Sequence, residues 1–203
     1  MIKIFLTFLM LVLLPLTLDA RRNGEGFFIG YGAGGTYYND SGAIEDIGGS
    51  KSEFSGASKF YMGYKYDHEF TLEGTFMNYG YFKVEDKGGS TLTEFVPMAG
   101  AVYLNYGHDF FHNQIRPFVI LGAGVLWIND KKNAIYDEEV FFSLHYGFGL
   151  LYTPNWLYGW GIRAAYEGDW SGYRTFNVDG SDLNGGSYNN FLGTVYTGIQ
   201  YKF

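Results

Sequence analysis

The chain has 203 residues, a net charge of −7 and no cysteine; it is 47% hydrophobic and 21% aromatic, with 30 Gly, 19 Tyr and 19 Phe, yet its mean hydropathy is only −0.09. Past the N-terminal leader the longest apolar run is residues 118–128, which excludes membrane-spanning helices and suits strands whose polar face dilutes an apolar one. An acidic chain without a basic patch argues against a nucleic-acid partner, and a fold without cysteine does not rest on disulfides.

In chain order, Lys3 precedes the apolar run 4–14, Pro15 breaks it, and Leu18-Asp19-Ala20 ends in a small residue. This reads as a secretory signal peptide over residues 1–20, with residues 21–203 as one domain. A membrane helix is the competing reading, but the run falls short of the ~20 residues that span a bilayer. Arg21 and Arg22 are unusual directly after a cleavage site. No cysteine lies there, so a lipid-anchored form is excluded.

Eight segments then alternate apolar and polar or small residues, as strands do when successive side chains point to opposite faces. Phe27, Ile29, Tyr31 and Ala33 alternate with Gly30, Gly32 and Gly34; Phe60, Met62 and Tyr64 with Lys59, Tyr61 and Gly63; Phe70, Leu72 and Phe76 with Thr71, Glu73 and Thr75. Val102, Leu104 and Tyr106 follow Phe95, Ala99, Ala101 and Asn105 less cleanly, and Val119, Leu121, Ala123 and Val125 alternate with Phe118, Gly122 and Gly124. The clearest case runs from Val140 to Tyr152, with Ser143, His145, Gly147 and Gly149 on the polar side. Trp160, Ile162 and Ala164 alternate with Gly161, Arg163 and Glu167, and Phe191, Val195, Ile199, Tyr201 and Phe203 with Asn190, Thr194 and Gln200. The reading is an all-β, eight-stranded, antiparallel, up-and-down transmembrane β-barrel. Short connections at 67–69, 108–115 and 153–156 oppose longer ones at 39–52, 83–90, 129–138 and 168–189, which predicts short periplasmic turns, long outer loops and both termini periplasmic. An eight-stranded barrel has room only for its own side chains. The glycines of the inner face therefore leave space for Arg, Lys, Glu and Tyr, while aromatics near both strand ends mark two bilayer interfaces.

The closing Tyr201-Lys202-Phe203, with Ile199, looks like the C-terminal signal read by the outer-membrane assembly machinery of Gram-negative bacteria. Together with the leader, the stretch from Arg116 to Gly124 and the stretch from Gly161 to Tyr166, it makes the chain resemble the OmpA-like family of small outer-membrane barrels. The resemblance covers the mature chain and implies outer-membrane lipids, lipopolysaccharide and the barrel assembly machinery as partners, with a possible host or surface ligand. No room follows Phe203 for the peptidoglycan-binding domain of longer members.

Lys59, Glu73, Arg163 and Glu167 share the predicted inner face, with Glu139 and His145 as additions, and buried charges are costly unless paired. A salt-bridged network that closes the lumen is the expectation, and a gated narrow ion or solute path the sharper alternative. Function then falls to the loops, where Trp170, Tyr173, Arg174 and Phe176 are candidate contacts. Ser143, His145 and Glu139 resemble the Ser, His and carboxylate set of a lipid A hydrolase. However, Ser143 and His145 point inward by parity, and Ser-x-His departs from the His-x-Ser order of the outer-membrane deacylases, so no catalytic residue is assigned. Asp179, Asp182 and Asn184 lack the bidentate Glu of a calcium loop, and His68, His108 and His112 scatter over turns. No metal or cofactor is expected.

Overall fold

The computed structural model describes residues 25–42, 50–51, 54–85, 89–130, 140–174, 177–178, 181–182 and 187–203. The leader 1–20, Glu139, Phe176, Asp179 and Asn184 lie outside the described residues. Twelve strands form among the described residues: β1 (Gly26–Asn39), β2 (Ser50–Lys51), β3 (Phe54–Lys65), β4 (Phe70–Asn78), β5 (Phe82–Glu85), β6 (Thr91–Gly107), β7 (Ile115–Asp130), β8 (Val140–Tyr152), β9 (Trp160–Arg174), β10 (Asn177–Val178), β11 (Ser181–Asp182) and β12 (Ser187–Lys202).

Each barrel strand pairs antiparallel with its neighbour in sequence, and β1 pairs with β12 over Phe28↔Lys202 to Asn39↔Phe191, which closes the cylinder. Closure leaves no unpaired sheet edge, the only way a sheet can sit in hydrocarbon. Strands β4 and β5 are two halves of one barrel strand, since both lie along β6 with Asn78 opposite Met98 and Phe82 opposite Phe95. The barrel therefore has eight strands, with β2 as a short extension on β5 and β10 and β11 as a separate hairpin.

The break between β4 and β5 has a local cause. Gly80 has φ of 88°, a left-handed conformation, and any side chain there would run into the backbone of Gly56. Ser55 Oγ accepts from Tyr81 N at 2.6 Å and Asn78 Oδ1 from Gly80 N at 2.8 Å, which holds the bend. The bend shifts parity by one residue: Met77 and Tyr79 face the lumen before it, Phe82 and Val84 after it.

The two faces separate as the alternation dictates. Phe142 is 74% exposed, Leu121 61%, Val195 64% and Trp160 42%, all on the outer wall. Aromatic residues form a band at each end of that wall. Phe70 packs on Tyr106 and Trp160 on Tyr201 near the short turns, with Trp156 and Tyr158 exposed on the rim; Tyr37 packs on Phe54, and Tyr146 on Phe191, near the long connections. The start of β1 and the end of β12 meet at the short-turn rim, where Phe203 N donates to Phe27 O.

Several boundaries differ from the sequence reading: residues 50–51, 83–85 and 129–130, placed there in long connections, are strand. The last turn runs on to Gly159, so Tyr158 is a turn residue rather than a strand one. Strands β9 and β12 extend to Arg174 and from Ser187, pairing in register across Trp170↔Phe191 and Ser171↔Asn190, so residues 168–174 and 187–189 are strand rather than loop.

Candidate functional site

At mid-height the lumen is crossed by one hydrogen-bonded charge network. Glu167, fully buried on β9, pairs with Lys59 of β3, accepts from Arg163 Nη2 at 3.0 Å and Tyr196 OH at 2.5 Å, and lies 3.3 Å from His145 Nε2. Glu73 of β4 accepts from Arg163 Nη1 at 2.7 Å, Tyr103 OH at 3.0 Å and Asn105 Nδ2 at 2.5 Å. Lys59 also donates to Tyr103 OH and Tyr196 OH, at 3.1 and 3.2 Å, and Arg163 lies 4.4 Å over the Phe118 ring. The two cations and two carboxylates at the centre thus neutralise one another, and tyrosine hydroxyls and ring faces fill their remaining valences.

Glycine makes the space for this. A methyl group at Gly147 would come within 2.8 Å of Glu167 Cγ, at Gly149 within 2.6 Å of Phe118 Cζ, and at Gly32 within 2.7 Å of Tyr196 Cδ2.

A second polar knot adjoins the first. Asp169 accepts from Ser143 Oγ at 2.8 Å and from Tyr79 OH, and lies 3.1 Å from His145 Nδ1, so His145 bridges Asp169 to Glu167. Tyr103 stacks on the imidazole with ring centroids 4.9 Å apart. Here the carboxylate sits between Ser143 and His145, and the hydroxyl donates to Asp169, whereas a serine nucleophile needs the imidazole as its proton acceptor.

Above this layer, on the side of the long connections, the lumen is mostly apolar, with Asn190 and Ser171 as buried polar residues. Tyr38, Met77, Phe82, Phe95, Leu126, Phe141 and Leu192 pack with their neighbours into one buried cluster drawn from every barrel strand except β3 and β9. Tyr38 OH reaches Asn190 Oδ1 at 2.7 Å. The sequence reading fills the lumen with Arg, Lys, Glu and Tyr beside glycine; its outer half is instead filled by aromatic and aliphatic side chains.

Of the residues singled out in the sequence, Lys59, Glu73, Arg163, Glu167 and His145 come together in the lumen. Asp169 and Tyr79 complete the network; the sequence reading places Asp169 in a loop, and Tyr79 sits at the bend, where parity does not assign its face. Trp170, proposed as a loop contact, is instead an outer-wall residue of β9, 46% exposed and opposite Phe191. Tyr173 and Arg174 lie in β9, paired with Tyr188 and Ser187, rather than in a loop. Asp182 lies in β11, opposite Asn177. Ile199 and Phe203 are outward, and Tyr201 packs between Trp160 and Phe203. Among the described residues no His, Asp and Glu group has the arrangement of a metal site.

Asp67, in the β3–β4 turn, accepts from Phe70 N at 2.6 Å and Glu69 N at 2.8 Å, and these bonds hold its carboxyl below the usual range.

No protein-family model and no curated protein sequence matches the chain. Solved structures do. Neisserial surface protein A aligns with a TM-score of 0.61 over 89% of this chain and 100% of its own, at 15% identity. Ail, the attachment invasion locus protein of Yersinia pestis, in complex with the heparin analogue sucrose octasulfate, gives 0.50 at 17% identity over 88% and 97%. AlkL in DMPC bilayers gives 0.50 at 14% over 91% and 94%. Identities this low carry the fold alone. With the apolar outer wall, paired aromatic bands and closed sheet, they define an eight-stranded β-barrel of the small outer-membrane type, consistent with the OmpA-like resemblance.

Proposed function

We propose that this protein is an integral outer-membrane barrel with a sealed lumen, whose role is structural or surface-interactive and exercised through its outer connections. The observation that carries this reading is the lumen filling: a neutralised charge layer beneath an apolar cluster supports a wall that braces itself rather than a path for solutes. Shorter turns at the rim where β1 begins and β12 ends support placing that rim, and with it both termini, in the periplasm. The outward Ile199 and Phe203, with Tyr201 beside them on the closing strand, support recognition by the barrel assembly machinery, and the aromatic bands support contact with lipid and lipopolysaccharide.

The chain is read as non-catalytic, because Ser143 is buried in the lumen and bonded to Asp169 rather than to His145. Ail in complex with a sulfated heparin analogue supports a surface ligand for this chain, met through the connections near β10 and β11. Replacing residues 175–186 with a short turn tests the surface role: heat-modifiable gel migration should persist while cell or matrix attachment falls. Attachment unchanged by the replacement would refute a role for that connection. Lipid A from cells with and without the protein should have the same mass; an acyl chain lost only when Ser143 is present would establish the hydrolase instead.

A further inference from the structure

The short-turn half of the lumen contains a feature that the charge network does not use. Thr71 Oγ1, Arg116 Nε and Arg163 Nε are buried and have no hydrogen-bond partner among the described residues. All three residues line one cavity of about 110 Å³ between the charge layer and the rim. Buried polar atoms are nearly always bonded, so three orphans on one cavity call for a ligand.

Their orientation is fixed from behind. Arg116 commits Nη1 to Asn105 Oδ1 and Nη2 to Glu69 O, both at 2.8 Å, and Arg163 commits its two terminal nitrogens to Glu73 and Glu167. Each guanidinium is held by these bonds with its Nε–H left over. Asp109 Oδ1 lies 3.7 Å from Arg116 Nε, an ion-pair distance without a hydrogen bond. Exposures of 2%, 4% and 2% for Thr71, Arg116 and Arg163 make these donors part of a built interior rather than a solvated rim.

The charge of the cavity selects the ligand. Lys65, Arg116, Arg163 and Lys202 line it with one lining carboxylate, Glu73, which already accepts three hydrogen bonds, while Asp109 close by pairs with Lys65 at 2.6 Å, so the cations still outnumber the carboxylates. In a chain of net charge −7 this is a local cationic pocket. A cation is repelled there, and an oxyanion would satisfy the orphaned donors with charge-assisted bonds. The volume admits several waters or one compact oxyanion.

We propose that this cavity binds a small oxyanion, of the phosphate or carboxylate class, from the compartment that the short turns face. The test uses the full mature barrel, ¹⁵N-labelled and refolded in zwitterionic micelles, titrated with inorganic phosphate or with acetate and compared with sodium chloride at equal ionic strength. The Nε–H signals of Arg116 and Arg163 should both shift and saturate, and Thr71→Val should weaken the affinity about tenfold, the loss expected for one hydrogen bond to a charged group. Whichever of the two anions saturates names the class. If Thr71→Val lacks the heat-modifiable band of a folded barrel, Lys202→Gln replaces it with the same direction expected. Shifts that are absent, do not saturate or are reproduced by chloride overturn the proposal, as does an unchanged affinity in the folded variant; water then occupies the cavity.

Discussion

Substituting Glu167→Gln tests the lumen network at its most connected member. The change keeps shape and one acceptor oxygen but removes the charge that Lys59, Arg163 and His145 share. Arg163 retains Glu73 at 2.7 Å, so the loss falls on Lys59, which is 2% exposed and is left with neutral acceptors, such as the hydroxyls of Tyr103 and Tyr196, and the ring faces around it. Removing one partner of a buried pair costs about 3–5 kcal/mol, whereas an exposed pair is worth at most about 1 kcal/mol. The tyrosine contacts place the expected cost at the lower end, about 3 kcal/mol, or roughly a hundredfold in the folding equilibrium. In the double variant Lys59→Met with Glu167→Gln neither charge is stranded, and about 2 kcal/mol should return as coupling. Urea unfolding of barrels refolded in lipid vesicles, followed by heat-modifiable migration and tryptophan fluorescence, measures both. A single-variant cost below about 1 kcal/mol, or a double-variant cost equal to the sum of the singles, would refute the pairing argument.

Gly30→Ala should destabilise the barrel by about 1–3 kcal/mol, because the added methyl meets the Tyr61 ring and comes within 2.6 Å of its Oη. Gly56→Ala, which meets open space, should leave the same urea midpoint unchanged or slightly raised. Leu121→Arg, on the outer wall near the middle of β7, should cost about 2–4 kcal/mol in vesicles and much less in detergent micelles; equal costs in the two would argue that this face does not meet acyl chains. Asp67 has a lowered carboxyl pKa in the folded turn, so its stabilisation is complete above the ordinary carboxylate range and is lost as pH falls through the lowered value. Amide exchange at Glu69 and Phe70 should accelerate over that acidic window, and Asp67→Asn should abolish the pH dependence.

The fold was legible because strand parity is a two-state code. Where one face meets lipid and the other a polar lumen, as from Val140 to Tyr152, the alternation names both faces. It blurs where both faces are apolar. In residues 118–128 Leu126 and Ile128 face the buried cluster while Val125 and Trp127 face outward, and the unbroken apolar run was the available sign of a hydrophobic lumen. Tyr61, Phe95 and Phe118 already stood on the inner parity of their segments, but the many glycines on that face drew attention to small and charged fillers. Asp169 was hidden by Gly168-Asp169, which reads as a polar break. In three dimensions Gly168 is covered by Tyr146, whose Oη lies 2.7 Å from where a Cβ would be, and the strand continues through it. The bend at Gly80 shifts parity by one residue, and no periodicity rule carries across such a shift.

Single-channel recording in planar bilayers tests the sealed lumen most directly. Refolded protein should insert without reproducible unit conductance at neutral pH, while Glu167→Gln, which unbalances the charge layer, should if anything raise leakage. A discrete, reproducible conductance step from the unaltered protein would show that the network and the apolar cluster part to form a path, and would contradict the account.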